Sequence, residues 1–254
     1  MAGIHLPLTQ RRVPKSLAGK KAIITGAGRG IGQVIAHALY REGARLTTVS
    51  KTKENLEKLQ KELPGINTIC VNLRDWDATR QSLGQLPPFD ILVNNAGFGR
   101  SGPFLDMSRE LTDNMIDMNI KGTINVTQII TSGMIAAGNG GTVVNVSSMA
   151  SHRSLSGHTV YAATKAAIDA ITRNLARELS RHNIRVNSVN PSYVCTDMTK
   201  HIPDAAVEKL RLLTPTRKLL TSEEVAETVL FLLNGSVSSI NGVNFLLDGG
   251  YTAT

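Results

Sequence analysis

The chain predicts an α/β fold: a single domain built on one doubly wound parallel sheet of about seven strands, with helices on both faces. Three observations lead there. Short apolar, β-branched runs alternate with helix-length amphipathic segments over nearly all of the 254 residues. Glycine, proline or asparagine punctuates most joints between them. No repeat, linker or shift in composition divides the chain. Alternation of this kind implies parallel strands, because each return to the sheet requires a helical crossover.

The elements follow in order. Residues 21–25 (KAIIT) read as a buried strand, and 30–42 as a helix stopped by Gly43. A second strand at 45–50 leads to a charged helix at 52–63 and the turn Pro64-Gly65. Residues 67–71 form a third strand, 75–83 a helix, and 89–93 a fourth strand behind Pro87-Pro88. One long helix is expected from about 108 to 137, ended by Gly138-Asn-Gly-Gly141. The fifth strand is 142–146, and the helix from 160 to about 181 places Ile168, Ile171, Leu175 and Leu179 on one face. Residues 184–189 form the sixth strand. Thr221-Ser-Glu-Glu224 is a capping box opening a helix that stops at Asn234-Gly235, and 243–247 is the last strand. Between them, residues 195–215 make a polar, weakly helical insert at the carboxyl end of a strand, where such folds keep lids.

Composition narrows the function. With 28 Lys+Arg against 20 Asp+Glu the formal charge is +8, yet the basic residues form no dense run and aromatics are only 4%. That argues against nucleic acid as a partner and for solvated charge plus an anionic ligand. No run approaches the roughly 18 apolar residues of a membrane helix. Cys70 and Cys195 have neither disulfide nor metal spacing, so no metal is expected and a reducing, cytoplasmic setting is. Residues 1–16 carry Arg11, Arg12 and Lys15 without an acid, which suggests a mitochondrial presequence as the alternative. Pro7 and Pro14 would break its helix, so 1–16 is expected to be a disordered lead-in to a domain spanning 17–254.

Chemistry enters at Thr25-Gly26-Ala27-Gly28-Arg29-Gly30-Ile31-Gly32, between the first strand and first helix. Glycines let the backbone approach a pyrophosphate, whose charge meets the amide end of the helix. The second strand ends in Ser50-Lys51-Thr52 rather than in the Asp or Glu that holds a free ribose 2′-hydroxyl. Lys51, Arg29 and the flanking hydroxyls would instead attract a 2′-phosphate, which selects NADP(H). Tyr161 and Lys165 are spaced i, i+4 on a helix, so they share a face. An ammonium beside a phenol lowers its pKa and suits it to proton transfer with a carbonyl oxygen. Alone that spacing means little. Ser148, closing a strand thirteen residues upstream, adds a hydroxyl that could polarise the carbonyl; Ser147 is its competitor, but alternation sends the two opposite ways.

With these pieces in place the chain resembles the short-chain dehydrogenase/reductase family, from about Leu17 to Gly250. The glycine turn, Asn94-Asn-Ala-Gly97, Asn119, Ser148, Tyr161, Lys165 and Asn190-Pro191 carry the likeness. The resemblance implies a Rossmann fold in which Tyr161 is the general acid, Lys165 lowers its pKa and binds the nicotinamide ribose, Ser148 orients the carbonyl, and Asn119 holds a relay water. It also implies that Gly26, Gly30, Ile31, Gly32, Asn72, Leu73, Asn94, Ala96 and Gly97 line the cofactor, with Val194 and Thr196 at the carboxamide and phosphates. Asn72 stands where an Asp is usual. Within the family the chain is most similar to the dicarbonyl/L-xylulose reductase branch, through Val49-Ser-Lys-Thr52, Val71-Asn-Leu-Arg-Asp-Trp76, Asn145-Val-Ser-Ser148 and His158-Thr-Val-Tyr161. That likeness implies a homotetramer and makes His158 a substrate contact beside Ser148 and Tyr161. Met149 and Pro203 depart from the branch, which leaves the sugar substrate open. A 3-oxoacyl-carrier-protein reductase shares the same catalytic set, and a non-catalytic NADP-binding scaffold is the reading from another class.

Overall fold

The structure, a computed structural model, describes residues 17–194, 203–236 and 238–253. The expected lead-in at 1–16, Thr196 and the first part of the expected lid lie outside those residues. Strand β1 (Lys21–Thr25) is followed by α1 (Gly30–Arg41), β2 (Arg45–Ser50), α2 (Lys53–Glu62), β3 (Asn67–Cys70), α3 (Trp76–Leu83) and β4 (Ile91–Asn94). Then come α4 (Arg109–Ile116), α5 (Thr123–Ala137), β5 (Gly141–Val146), α6 (Thr159–Leu179), β6 (Ile184–Pro191), α7 (Asp204–Leu213), α8 (Ser222–Leu233) and β7 (Asn244–Leu247).

All seven strands pair in parallel, in the order β3-β2-β1-β4-β5-β6-β7. Side chains alternate across the sheet with period two. Ala22 and Ile24 of β1 pack with α1, α2 and α8, whereas Ile23 faces α3, α5 and α6. This is why β1 reads as an unbroken apolar run: both of its faces are covered. The capping box at α8 forms as expected, with Glu224 N donating to Thr221 Oγ1 (3.2 Å) and Thr221 N to Glu224 Oε2 (2.9 Å).

Two elements differ from expectation. The long helix over 108–137 is interrupted by a π-helical turn, Asp117–Gly122, that separates α4 from α5. The expected insert holds a regular helix, α7, that buries none of its residues. Strand order reverses between β1 and β4, which opens a crevice at the carboxyl ends of these strands.

Candidate active site

A cleft of about 780 Å³ occupies that crevice. At one end lies the glycine turn. Gly26 adopts φ +68°, and a Cβ on it would sit 2.8 Å from the Ala96 Cα. A Cβ on Gly32 would lie 2.2 Å from the Gly26 carbonyl oxygen, so only glycine lets α1 begin so close to the turn. Asn95 latches this arrangement from β4: its Nδ2 donates to the carbonyls of Thr25 and Gly26, each at 3.1 Å.

Arg29, Gly30, Ile31, Ser50, Lys51, Thr52, Leu73, Ala96, Gly97 and Val194 line the cleft as expected. None of the described lining residues is acidic, and Arg29, Lys51 and Arg100 are basic. The donor set therefore fits a dinucleotide carrying an extra phosphate.

Two expected cofactor residues are not on the wall. Asn94 is buried, and its Nδ2 donates to Thr127 Oγ1 and Asn145 Oδ1, both at 2.9 Å. As the last residue of β4 it points into the α5 side of the sheet, and Asn95 takes the outward place. Asn72 turns its Oδ1 to the Arg74 amide (3.3 Å), leaving Val71 and Leu73 on the cleft wall.

The catalytic candidates converge near the middle of the cleft. Ser148 leaves β5 in extended conformation and caps a short 3₁₀ turn, accepting from Ala150 N at 3.2 Å. Ser147 is buried and donates to the Lys165 carbonyl (3.1 Å), so Ser148 is the hydroxyl available to a substrate. Tyr161 and Lys165 lie one turn apart on α6, and the Tyr161 hydroxyl is hydrogen-bonded to the Ser148 side chain. Asn119 sits in the π turn. Its Nδ2 donates to the Phe98 carbonyl (2.9 Å) and Thr164 Oγ1 (3.0 Å), and its Oδ1 accepts from Phe98 N (3.0 Å). Both amide hydrogens and one lone pair of that side chain are taken by protein, so it braces the wall at Gly97-Phe98.

Charge in the site differs from the expectation for the Tyr161–Lys165 pair. Burial raises the Tyr161 phenol above its ordinary value, with the Ser148 hydrogen bond opposing. Lys165 does not hold it down, because Lys165 Nζ donates to the Val146 carbonyl (2.8 Å) and lies 5.8 Å from the Tyr161 ring centroid. Burial instead lowers Lys165 itself to about 8, with the charge of Asp169 opposing. A folded-state pKa below the unfolded value means that the charged lysine costs stability at neutral pH. That cost is relieved as pH rises from about 8 toward 10.5. The wild type should therefore gain about 2 kcal/mol of unfolding free energy from this group between pH 7 and 9.5, a gain that Lys165→Met lacks. Urea unfolding of both proteins at the two pH values measures it; parallel curves would contradict it.

Comparison with known proteins accords with this geometry. A family model described as enoyl-(acyl carrier protein) reductase matches residues 26–252. The L-xylulose reductase of Bos taurus is 44% identical over 94% of this chain and 98% of its own. Carbonyl reductase [NADPH] 2 of Sus scrofa is 41% identical over 94% and 99%. The chain belongs to the short-chain dehydrogenase/reductase family. It is also 38% identical to the 3-oxoacyl-[acyl-carrier-protein] reductase FabG of Thermotoga maritima, over 92% and 98%. Among solved structures, a gluconate 5-dehydrogenase from Burkholderia cenocepacia, in complex with NADP and tartrate, superposes with a TM-score of 0.89 at 27% identity, covering 95% and 98%.

Met149, Leu155, His158 and Tyr193 also line the cleft. His158 Nδ1 is paired with the Ser156 carbonyl (2.9 Å), and its ring meets Tyr161 edge-on, 6.5 Å between centroids. Pro203, one of the two departures from the branch, is exposed at the start of α7 and is not among the described lining residues. Sequence reasoning missed Asn95, Gly99, Arg100 and Tyr193. Asn95 was within reach, since it follows the last buried residue of β4. The others come from loops without periodicity.

Proposed function

We propose that this oxidoreductase is an NADPH-dependent carbonyl reductase acting on small α-dicarbonyls and α-hydroxyketones, such as diacetyl and L-xylulose (reduced to xylitol). The observation that carries the reading is the hydrogen-bonded Ser148–Tyr161 pair, set over buried Lys165 in a cleft whose far end holds Arg29 and Lys51. The NADP-bound gluconate 5-dehydrogenase and the NADPH in the porcine relative's name support the cofactor. The glycine turn, Ser50, Lys51, Thr52 and Arg29 would hold its adenosine half, and Lys165 its nicotinamide ribose.

When bound, NADPH supplies a hydride to the carbonyl carbon. The chain's own part is the proton and the geometry. Ser148 donates a hydrogen bond to the carbonyl oxygen, and Tyr161 transfers its phenolic proton to that oxygen as negative charge develops there. A raised pKa keeps the proton on Tyr161 at neutral pH, as a donor in reduction requires. The resulting phenolate is met by the Ser148 hydroxyl, its hydrogen-bond partner. The main-chain carbonyl of Asn119 accepts from Thr123 Oγ1 (2.9 Å), so a relay water there would share it with that hydroxyl.

His158 offers a polar contact beside Tyr161, suited to an oxygen on the carbon next to the reacting carbonyl. Met149 and Leu155 make the remaining wall apolar. Each buried, unpaired substrate hydroxyl would cost about 1–3 kcal/mol there, so diacetyl should exceed L-xylulose in kcat/KM. His158→Leu should lower kcat/KM for both by about tenfold, with a simple aromatic ketone barely affected. A panel of xylulose, diacetyl, aromatic ketones and acetoacetyl thioesters tests this. Leading activity on the thioesters, or a neutral His158→Leu, would favour the acyl reductase reading, which the Thermotoga maritima relative supports.

The assembly that accompanies this reading is a homotetramer. Ala163 and Ala166 are exposed on α6, leaving a small-residue stripe for close helix approach. Phe231 and Val243 are exposed beside β7, at the edge of the sheet. Light scattering at micromolar concentration should return four chains; a monomeric mass would contradict it.

A further inference from the structure

We propose that Asp169, buried on α6 one turn beyond Lys165, is a positioning residue that keeps Lys165 an ammonium, with Asn190 and His152 fixing its carboxylate. The inference rests on the catalytic reading of Lys165 and Ser148 above. Asp169 is 3% exposed. Asn190 Nδ2 lies 3.0 Å from its Oδ1 and 2.8 Å from its Oδ2. Ser188 Oγ lies 3.4 Å from Oδ1, and His152 Nε2 lies 3.4 Å from Oδ2. The same Asn190 amide is 3.0 Å from Ser151 Oγ and 3.4 Å from the Ser148 carbonyl oxygen, so it joins the carboxylate to the loop that carries Ser148.

A buried carboxylate held by neutral donors still carries its charge, and its field acts over a helical turn in a poorly screened interior. Lys165 and Arg173 both stand four residues from Asp169 on α6; Arg173 is exposed, and Lys165 is the buried cation that shares the interior with the carboxylate. Each buried charge reduces the cost of the other. Burial draws Lys165 toward its neutral form, and Asp169 opposes it. The other titratable groups around Lys165 are Tyr161 on its own helix and His158, which meets Tyr161 from the preceding loop. His152 stands at the exposed end of the cluster, and Arg29, Lys51 and Arg100 line more distant parts of the cleft.

The test is the pH profile of kcat/KM for diacetyl with NADPH, in wild type and Asp169→Asn. Asparagine keeps the shape and removes the charge. The alkaline limb should move to lower pH by about one unit, with a fall of about five- to tenfold at pH 8 and little change at pH 6. A uniform fall with an unmoved limb would overturn the proposal and leave Asp169 a purely structural residue. If Asp169→Asn does not fold, Lys165→Met is added to it. Recovery of the fold in the double variant supports the coupling, because an unpaired buried ammonium was the fault; continued unfolding overturns it. A wild type that reduces no carbonyl would defeat the underlying catalytic reading, an outcome distinct from either result.

Discussion

Replacing Tyr161 by phenylalanine should lower kcat by about 10²–10⁴-fold while NADPH affinity stays within a few-fold of wild type. The ring has a packing role that phenylalanine keeps: a Cβ on Gly99 would fall 2.6 Å from its Cδ2, so the loop after β4 lies directly on it. The cofactor end of the cleft, built on the glycine turn and on β2, is untouched. Only the hydroxyl is lost, and with it the hydrogen bond to Ser148 and the transferable proton. Single-turnover rates with fluorescence titration of NADPH separate the two quantities. Retention of more than about a hundredth of kcat would place the proton donor elsewhere.

Lys51→Asp should reverse the choice of cofactor. In the wild type, Lys51 and Arg29 face the cleft without an acid among the described lining residues. A charge-assisted contact with phosphate is worth about 1.5–3 kcal/mol, or roughly ten- to a hundredfold in kcat/KM for NADPH over NADH. An aspartate removes that contact, repels the phosphate and offers a carboxylate to a free ribose hydroxyl. The two nicotinamide cofactors, compared at fixed substrate in both proteins, measure the effect. Equal kcat/KM in the wild type would contradict the assignment.

The sheet was legible because burial on both faces leaves continuous apolar runs, and the glycine turn because its constraints are local. Ser148, Tyr161 and Lys165 were legible for the same reason: a strand end and a helix face place them without reference to distant contacts. The π turn was not. The interactions that hold Asn119 there come from Phe98 and Thr164, 21 and 45 residues away, while the apolar pattern over 108–137 runs on unbroken. Asn94 and Asn95 look alike as letters, and only where β4 ends decides which faces the cleft. Asn72 could have been read better, since its bond to Arg74 N is a local turn formed two residues ahead. The direction of the Tyr161 pKa was out of reach, because it depends on how deeply α6 buries the phenol and on Lys165 turning to the Val146 carbonyl.

The central claim is that this cleft transfers a hydride and a proton to a carbonyl, rather than merely holding a nucleotide. Its most direct test is to mix the wild-type protein with limiting NADPH and excess diacetyl, following nicotinamide absorbance and the organic product together. Catalytic loss of NADPH with an equimolar gain of the hydroxyketone, abolished by Tyr161→Phe, is the expected result. NADPH that binds but is not consumed, across diacetyl and the wider carbonyl panel, would contradict it and identify a binding scaffold.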